Sequence, residues 1–474
     1  MAPITTSSQH FYWRQRQWTP VLLTGTLTIA SASAFAVDYY VDFGAGSNHM
    51  LCGDVGDPCL TIGYTVSNRV SSGDDIYLVG TTAFQVRGVT IDKNLIFHGL
   101  GAGTTFLDAG GSERHFRIES GATVRFQEMT LEEGGIAGNC GGSIHVVDGH
   151  LQVDRVVFNN NEADCGGAVA LDAGTMLSED SEYTNNRAEV YDGGAINCRN
   201  HFSGPSCSGL EILDSLFSGN TAHQQGGAIY TDATTDISRS EFFENIASYG
   251  GAIHSQIYEQ GLLEVHGTQF TANEGQFGGA ISIGDGDVDI RRSSFVENSA
   301  GVGGAIYGYW TGPEEDDLTV TNSTFSANSA DTAGGISGSG SLHFVTMVNS
   351  SANAGQAQDL SGTFDIYRSL ITHETAGVGE AECVGTFGGE SNLIDTTSCG
   401  SSLTFRQGAH NNTELLPLRR RGGRTLSHGL ESGSVAVGTA NNCDGPNGVI
   451  SFDQRGAPRP GAGADCDIGS FERQ

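Results

Sequence analysis

The sequence predicts an all-β protein. It reads as one single-stranded, right-handed parallel β-helix of about 25-residue coils with caps at its N- and C-terminal ends. The first observation behind this is a recurring glycine pair followed by a small residue and an aliphatic. It occurs at Gly141-Gly142-Ser143-Ile144, Gly166-Gly167-Ala168-Val169 and Gly193-Gly194-Ala195-Ile196, and again from Gly226, Gly250, Gly278 and Gly303. A degraded copy stands at Gly334-Gly335-Ile336. The second observation is an aromatic-x-x-Asn tetrapeptide in fixed phase with it. Its members are Phe158/Asn161, Tyr183/Asn186, Phe217/Asn220, Phe242/Asn245, Phe270/Asn273, Phe295/Asn298 and Phe325/Asn328. The third is the period: successive aromatics lie 25, 34, 25, 28, 25 and 30 residues apart, a unit of 25 with insertions.

Between the two signatures run short β-branched alternations such as Leu151-Gln152-Val153-Asp154-Arg155-Val156-Val157, with no 3.6-residue period. Twenty-five residues suit three short strands and three bends, each coil lying about 4.8 Å above the last. Equivalent aromatics then form a column of rings inside the coil. Equivalent asparagines, Asn161, Asn186, Asn220, Asn245, Asn273, Asn298 and Asn328, are expected to form a hydrogen-bonded ladder at one bend. The glycine pair is assigned to a corner that excludes a Cβ.

Composition agrees. The chain has 474 residues with 69 Gly and 9 Pro, about twice the ordinary glycine share, yet no G-X-Y period. Acidic residues number 55 against 23 basic ones, and Lys93 is the only lysine. A formal charge of −32 repels phosphate backbones and anionic headgroups, so nucleic-acid partners are excluded.

Residues 1–36 read as a secretory signal: Arg14 and Arg16, an apolar stretch from Val21 to Ala30, then Ser31 to Ala36 with an A-x-A site ending at Ala36. An uncleaved anchor is the rival reading. No later stretch is apolar enough to span a membrane as a helix, and none is expected to form a barrel. A secreted or surface-associated monomer is the expectation. Ten cysteines suit an oxidising compartment, and their spacing suggests Cys52–Cys59, Cys140–Cys165, Cys198–Cys207, Cys383–Cys399 and Cys443–Cys466. Cys140 and Cys165 each precede a glycine pair, which places them at one position on adjacent coils. Zinc is the competing use, but no C-x₂-C pair exists.

These GGAI and FxxN tetrapeptides resemble the polymorphic outer-membrane protein repeat of bacterial surface proteins, over roughly residues 135–345. The resemblance implies a right-handed β-helix displayed at the cell surface and often adhesive; no counterpart of the C-terminal barrel carried by the founding family is expected here. Residues 37–134 are expected to hold an N-terminal cap and first coils, with a short helix in Thr61 to Val70 and a strand from Asp75 to Val79. Residues 346–474 are expected to hold the last coils and a closing tail. Its segments Gly422-Gly423-Arg424-Thr425, Asp453-Gln454-Arg455-Gly456 and Asp467-Ile468-Gly469-Ser470-Phe471-Glu472 look like a choice-of-anchor tail.

No catalytic constellation stands out. A polysaccharide hydrolase on this scaffold needs clustered aspartates, and NTD, GHG and RIK motifs are missing. A lyase needs a strong base; Lys93 and the pair Arg291-Arg292 are the available cations, with a solvated strand surface as the plainer reading of the pair. Insertions are more informative. From glycine pair to next aromatic takes 24 residues after Gly193, 20 after Gly250 and 22 after Gly303, against 16 or 17 elsewhere, so all three extensions leave one edge. They carry Cys198, His201, Phe202 and Cys207, then Tyr258 and Glu259, then Tyr307 to Asp317. Tyr258, Tyr307, Tyr309, Trp310 and Glu314 are the candidate ligand-binding residues: flat rings beside carboxylates suit glycans or surface proteins, and covering the coil edge is the plainer alternative. Asp285, Asp287 and Asp289 alternate one coil below Glu314 and offer hard oxygen ligands to calcium, although EF-hand spacing fails at Ile290. Arg419-Arg420-Arg421 with Arg424 are expected to pair with the acidic body. The sequence therefore reads as an adhesin-like binding protein, with a polysaccharide lyase or hydrolase and a purely structural envelope protein as alternatives.

Overall fold

The structure, a computed structural model, describes residues 36–80, 83–199, 207–257, 261–309, 318–373, 381–394, 398–399, 414–446, 448–461 and 463–474. The proposed signal segment up to residue 35 lies outside them. The chain winds into a parallel β-solenoid of about 12 turns, about 25 residues each, with a single short helix among the described residues. Every strand pairing along the solenoid is parallel and joins equivalent positions of successive coils. The column Ile196, Ile229, Ile253, Ile281 and Ile306 shows the register.

The repeat letters set that register. Phe158, Tyr183, Phe217, Phe242, Phe270, Phe295 and Phe325 are fully buried and stack face to face, with centroids 4.5 to 5.0 Å apart and planes within 11°. The strand spacing imposes that distance, and ring stacking fills the interior without voids. Each ladder asparagine is wholly buried. In Asn273, for example, Nδ2 donates to Oδ1 of Asn298 at 2.9 Å and to the carbonyl of Phe242 at 3.0 Å, while its backbone N–H reaches the same Asn298 oxygen at 3.0 Å. The bend therefore buries its polar groups fully satisfied.

At the corner the first glycine has a left-handed backbone. Gly250 has φ 63°, and a Cβ there would lie 1.9 Å from the carbonyl oxygen of Ile253. One expectation about the last corner is corrected. Ala305 donates to the Gly335 carbonyl and Gly304 to that of Ala333, so the corner pair is Ala333-Gly334 and Gly335 takes the small-residue place. Ala333 accepts φ 56° as the one alanine in this column.

A second ladder escaped the sequence reading. Backbone N–H groups of Ser181, Ser215, Ser240, Thr268 and Ser293 each donate to the hydroxyl one coil on, at 3.1 to 3.4 Å. Its members stand two residues before each aromatic, a spacing visible in Ser-x-Phe-x-x-Asn.

The N-terminal end is closed by the helix Ile62–Asn68, capped by the Thr61 hydroxyl and buried through Ile62, Thr65 and Val66. Lys93 Nζ donates to the Val66 carbonyl at 2.8 Å, which occupies the lone lysine in closing this helix. The ten cysteines are bridged in the five pairs their spacing suggests. The described residues from 414 on run back along the flank of the solenoid, from the last coils to those of Glu241 and Asp214. Phe344, Leu370 and Leu393 of the last coils share an apolar cluster with Leu430, Ile468 and Phe471 of the tail.

Candidate functional site

The site is built where two features of the coil meet. On each turn, the strand ahead of the glycine pair belongs to a separate sheet running from Gly135–Cys140 through Arg187–Ala188, Ile246–Tyr249 and Glu274–Phe277 to Ser329–Thr332. Outside this sheet lies a groove of about 670 Å³ lined by Arg187, Glu189, Thr221, His223, Ser248 and Glu274, among others. A second hollow of about 360 Å³ shares Glu189 with it and continues past Glu133, Asn160 and Asp164. The two present hydrogen-bonding groups in file along the solenoid.

Aromatic side chains form the neighbouring edge. Tyr249 and Phe277 each stand immediately before a glycine pair, and Tyr307 follows the next pair's Ala305-Ile306. The left-handed glycine folds the chain back on itself there, so residues on either side of the corner come together. Tyr249 stacks on Phe277 at 4.8 Å, Phe277 meets Tyr307 at 5.1 Å and Tyr307 lies parallel to Tyr309 at 6.4 Å. Tyr309 is 58% exposed and Tyr249 37%. Burial first, then the Tyr249 and Tyr309 hydroxyls, hold the Tyr307 phenol above its ordinary pKa, so it stays a neutral hydrogen-bonding group.

Of the candidate ligand-binding residues, Tyr307 and Tyr309 are brought together, whereas Tyr258, Trp310 and Glu314 lie outside the described residues. Tyr249 and Phe277 were missed; the signal was an aromatic before the glycine pair on two successive coils. The three insertions leave from the ends of aligned strands, Ile196–Cys198, Ile253–Gln256 and Ile306–Gly308. Asp285 and Asp287 flank Gly286, and Asp289 is engaged by Arg291, whose Nε donates at 2.8 Å. Among the described residues no group of three or more His, Cys, Asp or Glu is placed to hold a metal ion.

Titratable clusters elsewhere are enclosed. Asp192, raised to about 6 by burial against the opposing pull of Arg199, lies 3.4 Å from that guanidinium. Arg199 covers the Tyr230 ring at 5.2 Å, and Tyr230 stacks on His254, which burial holds down to about 4. Ser143 Oγ meets His115 Nδ1 at 3.1 Å, but both are wholly buried and the other ring nitrogen meets the Leu107 carbonyl. Nucleophilic chemistry on a polymer needs access that this pair lacks. Of the tail cations, Arg420 pairs with Glu241, and Arg424 with Asp214 at 2.5 Å.

Fold and site define a class: a parallel β-solenoid repeat protein with a polar groove and an aromatic edge outside. Residues 214–232 match the model of the Chlamydia polymorphic membrane protein repeat, which is consistent with the repeat letters of the solenoid being of the polymorphic outer-membrane type. It is 29% identical over 212 residues to "Probable autotransporter YfaL" of Escherichia coli strain K12. That match covers 38% of this chain and 16% of the relative, so the chain spans a small part of the relative's length. Among solved structures it is similar to a rhamnogalacturonan lyase, at TM-score 0.36 and 14% identity, over 84% of this chain and 96% of that one. It is also similar to the structure described as "The complex structure of XylC with xylose", at TM-score 0.37 and 9% identity, over 92% and 98%.

Proposed function

We propose that this protein is exported to the cell surface and binds glycan chains, free or protein-borne, along the groove and its aromatic edge. One observation carries the reading: the row Tyr249, Phe277, Tyr307, Tyr309 crosses successive coils beside a file of polar groups. Pyranose rings present apolar C–H faces to such rings and hydroxyls to such groups. Surface display is supported by the matched repeat and by the autotransporter relative. Tyr258, Trp310 and Glu314, which follow Ile257 and Tyr309 in the sequence, are candidates for the same binding role.

The test is retention on a glycan array by the mature chain. Replacing both Tyr249 and Tyr309 by Ala removes two rings worth roughly 1 kcal/mol each, so retention of a binding glycan should weaken roughly tenfold or more. Undiminished retention by the folded double variant would sink the reading.

A further inference from the structure

The Arg291-Arg292 pair, which neither the fold nor the aromatic edge uses as a site, borders a separate cavity. This cleft of about 330 Å³ lies between the flank of the solenoid and the tail. One wall carries His266, Arg291 and Thr321, which occupy one register position on three successive coils, together with Arg292. The other wall is tail, including Val449 and Phe452, which are 39% and 53% exposed. The tail wall is fixed. Asn322 Nδ2 donates to the Phe452 carbonyl at 2.8 Å, and Arg292 Nε to the Gln454 carbonyl at 3.3 Å. The buried Arg459 in turn holds Asn322 Oδ1 at 2.9 Å.

In a chain of formal charge −32 this is an unusual place, with two guanidinium groups and an imidazole on adjacent coils. Asp289 and its register partner Glu264 on the coil before are the carboxylates acting on Arg291, and Asp289 is the one bonded to it. Asp289 takes the Nε proton and one Nη2 proton of Arg291, so Nη1 keeps its two protons for another acceptor. Asp236 and Arg239 are the other charged groups acting on His266. Charge-assisted bonds from guanidinium to carboxylate are among the stronger and more directional ones. The Thr321 hydroxyl lies beside them, and the tail supplies an apolar surface opposite.

We propose that this cleft binds a small sugar acid: a hexuronate, free or as the terminal residue of a glycan. Its carboxylate lies against Arg291 and His266, its ring hydroxyls meet Thr321, and its C–H face rests on Phe452. The volume stands at the lower end of the ~300–1,000 Å³ usual for small-molecule sites, which suits one ring. Extended polyanions are disfavoured by the charge of the whole molecule. The site is distinct from the aromatic edge and does not depend on it.

Calorimetric titration of the mature chain with glucuronate, glucose and a glucuronate-terminated disaccharide tests this. The wild type should prefer glucuronate over glucose at least tenfold, and the disaccharide arm tells whether a chain terminus is taken better than the free acid. Arg291→Gln leaves the Arg292–Gln454 contact in place and should reduce the preference to about threefold or less. Phe452→Ala should weaken the free acid and the disaccharide alike. The double variant of Tyr249 and Tyr309 should keep the preference, which separates this site from the edge. Equal affinity for glucuronate and glucose in the wild type overturns the proposal, as does a preference that Arg291→Gln leaves unchanged.

Discussion

Asn220 sends both its backbone N–H, at 3.0 Å, and its side-chain amide, at 2.9 Å, to one acceptor, Oδ1 of Asn245 on the next coil. Each interior asparagine thus satisfies two buried donors of the coil before it. The first member differs: Asn161 Oδ1 accepts from Gly134 N–H, at 2.8 Å, and from no ladder asparagine. Asn245→Ala should therefore cost about 3 kcal/mol, since each buried donor left without a partner costs about 1–3 kcal/mol. Asn161→Ala should cost visibly less. Denaturant midpoints of the two variants compare them directly, and equal losses would contradict this division of roles.

Acid should loosen the protein from about pH 6.5 downward, through its buried imidazoles. His115, His254 and His343 are each held down to about 4 by burial, against an ordinary 6.5. The unfolded chain takes up their protons first as pH falls, so their contribution is complete above pH 6.5 and is lost on the way down to 4. Each accounts for about 1.4 kcal/mol per pH unit inside that window. Asp192, raised to about 6, has the opposite sign: its folded form gains as pH falls from 6 toward 3.8, offsetting about one histidine. These four groups together give a loss of about 3 kcal/mol per unit in the middle of the window, to which the lowered His266 adds and the raised Glu132, Glu264 and Glu472 run counter. Urea midpoints measured at pH 7, 6 and 5 check it, and a flat profile would show that the imidazoles are not buried neutral.

The tail rests on one buried cation more than on its exposed ion pairs. Arg459 donates to Glu472 Oε2 at 2.7 Å, to the Gly469 carbonyl at 2.8 Å and to Asn322 on the solenoid. Arg459→Leu strands the Glu472 carboxylate, a loss of about 3–5 kcal/mol for a broken buried pair. Limited proteolysis should then remove residues of the tail while far-ultraviolet circular dichroism keeps its β signal. Arg420→Gln breaks a half-exposed pair with Glu241 and should cost under about 1 kcal/mol, with no gain in cleavage. Equal protease resistance of wild type and Arg459→Leu would remove the role assigned to Arg459.

Much of this fold was legible because a solenoid repeats its contacts. Phe217 and Asn220 recur at Phe242 and Asn245 because each packs against its own copy, so a long-range contact leaves a local mark in the sequence. The serine ladder leaves the same mark at Ser215 and Ser240, and was overlooked only because serine is common in bends. Ala333 misled the reading since an alanine at a left-handed position breaks the motif without breaking the structure.

The sites were less legible, and the reason is geometric. Tyr249 and Phe277 are repeat equivalents, but nothing in the repeat says that Phe277 meets Tyr307, which lies beyond the next corner, on an exposed edge. The cleft at Arg291 needs Phe452, a residue far along the chain that reaches the solenoid only through the tail. The sequence by itself determined the coil, its period and its aromatic and asparagine ladders, because these join each residue to its equivalent one repeat away. Of the disulfides Cys140–Cys165 is of that kind, and the other four pairs were legible from their short spacing. Only the tertiary structure decided which outer side chains share a surface and where the tail lies. Tyr249–Phe277 and His266–Arg291–Thr321 are repeat equivalents, but Phe277–Tyr307 and every contact to the tail join non-equivalent positions, and packing rather than periodicity selects those.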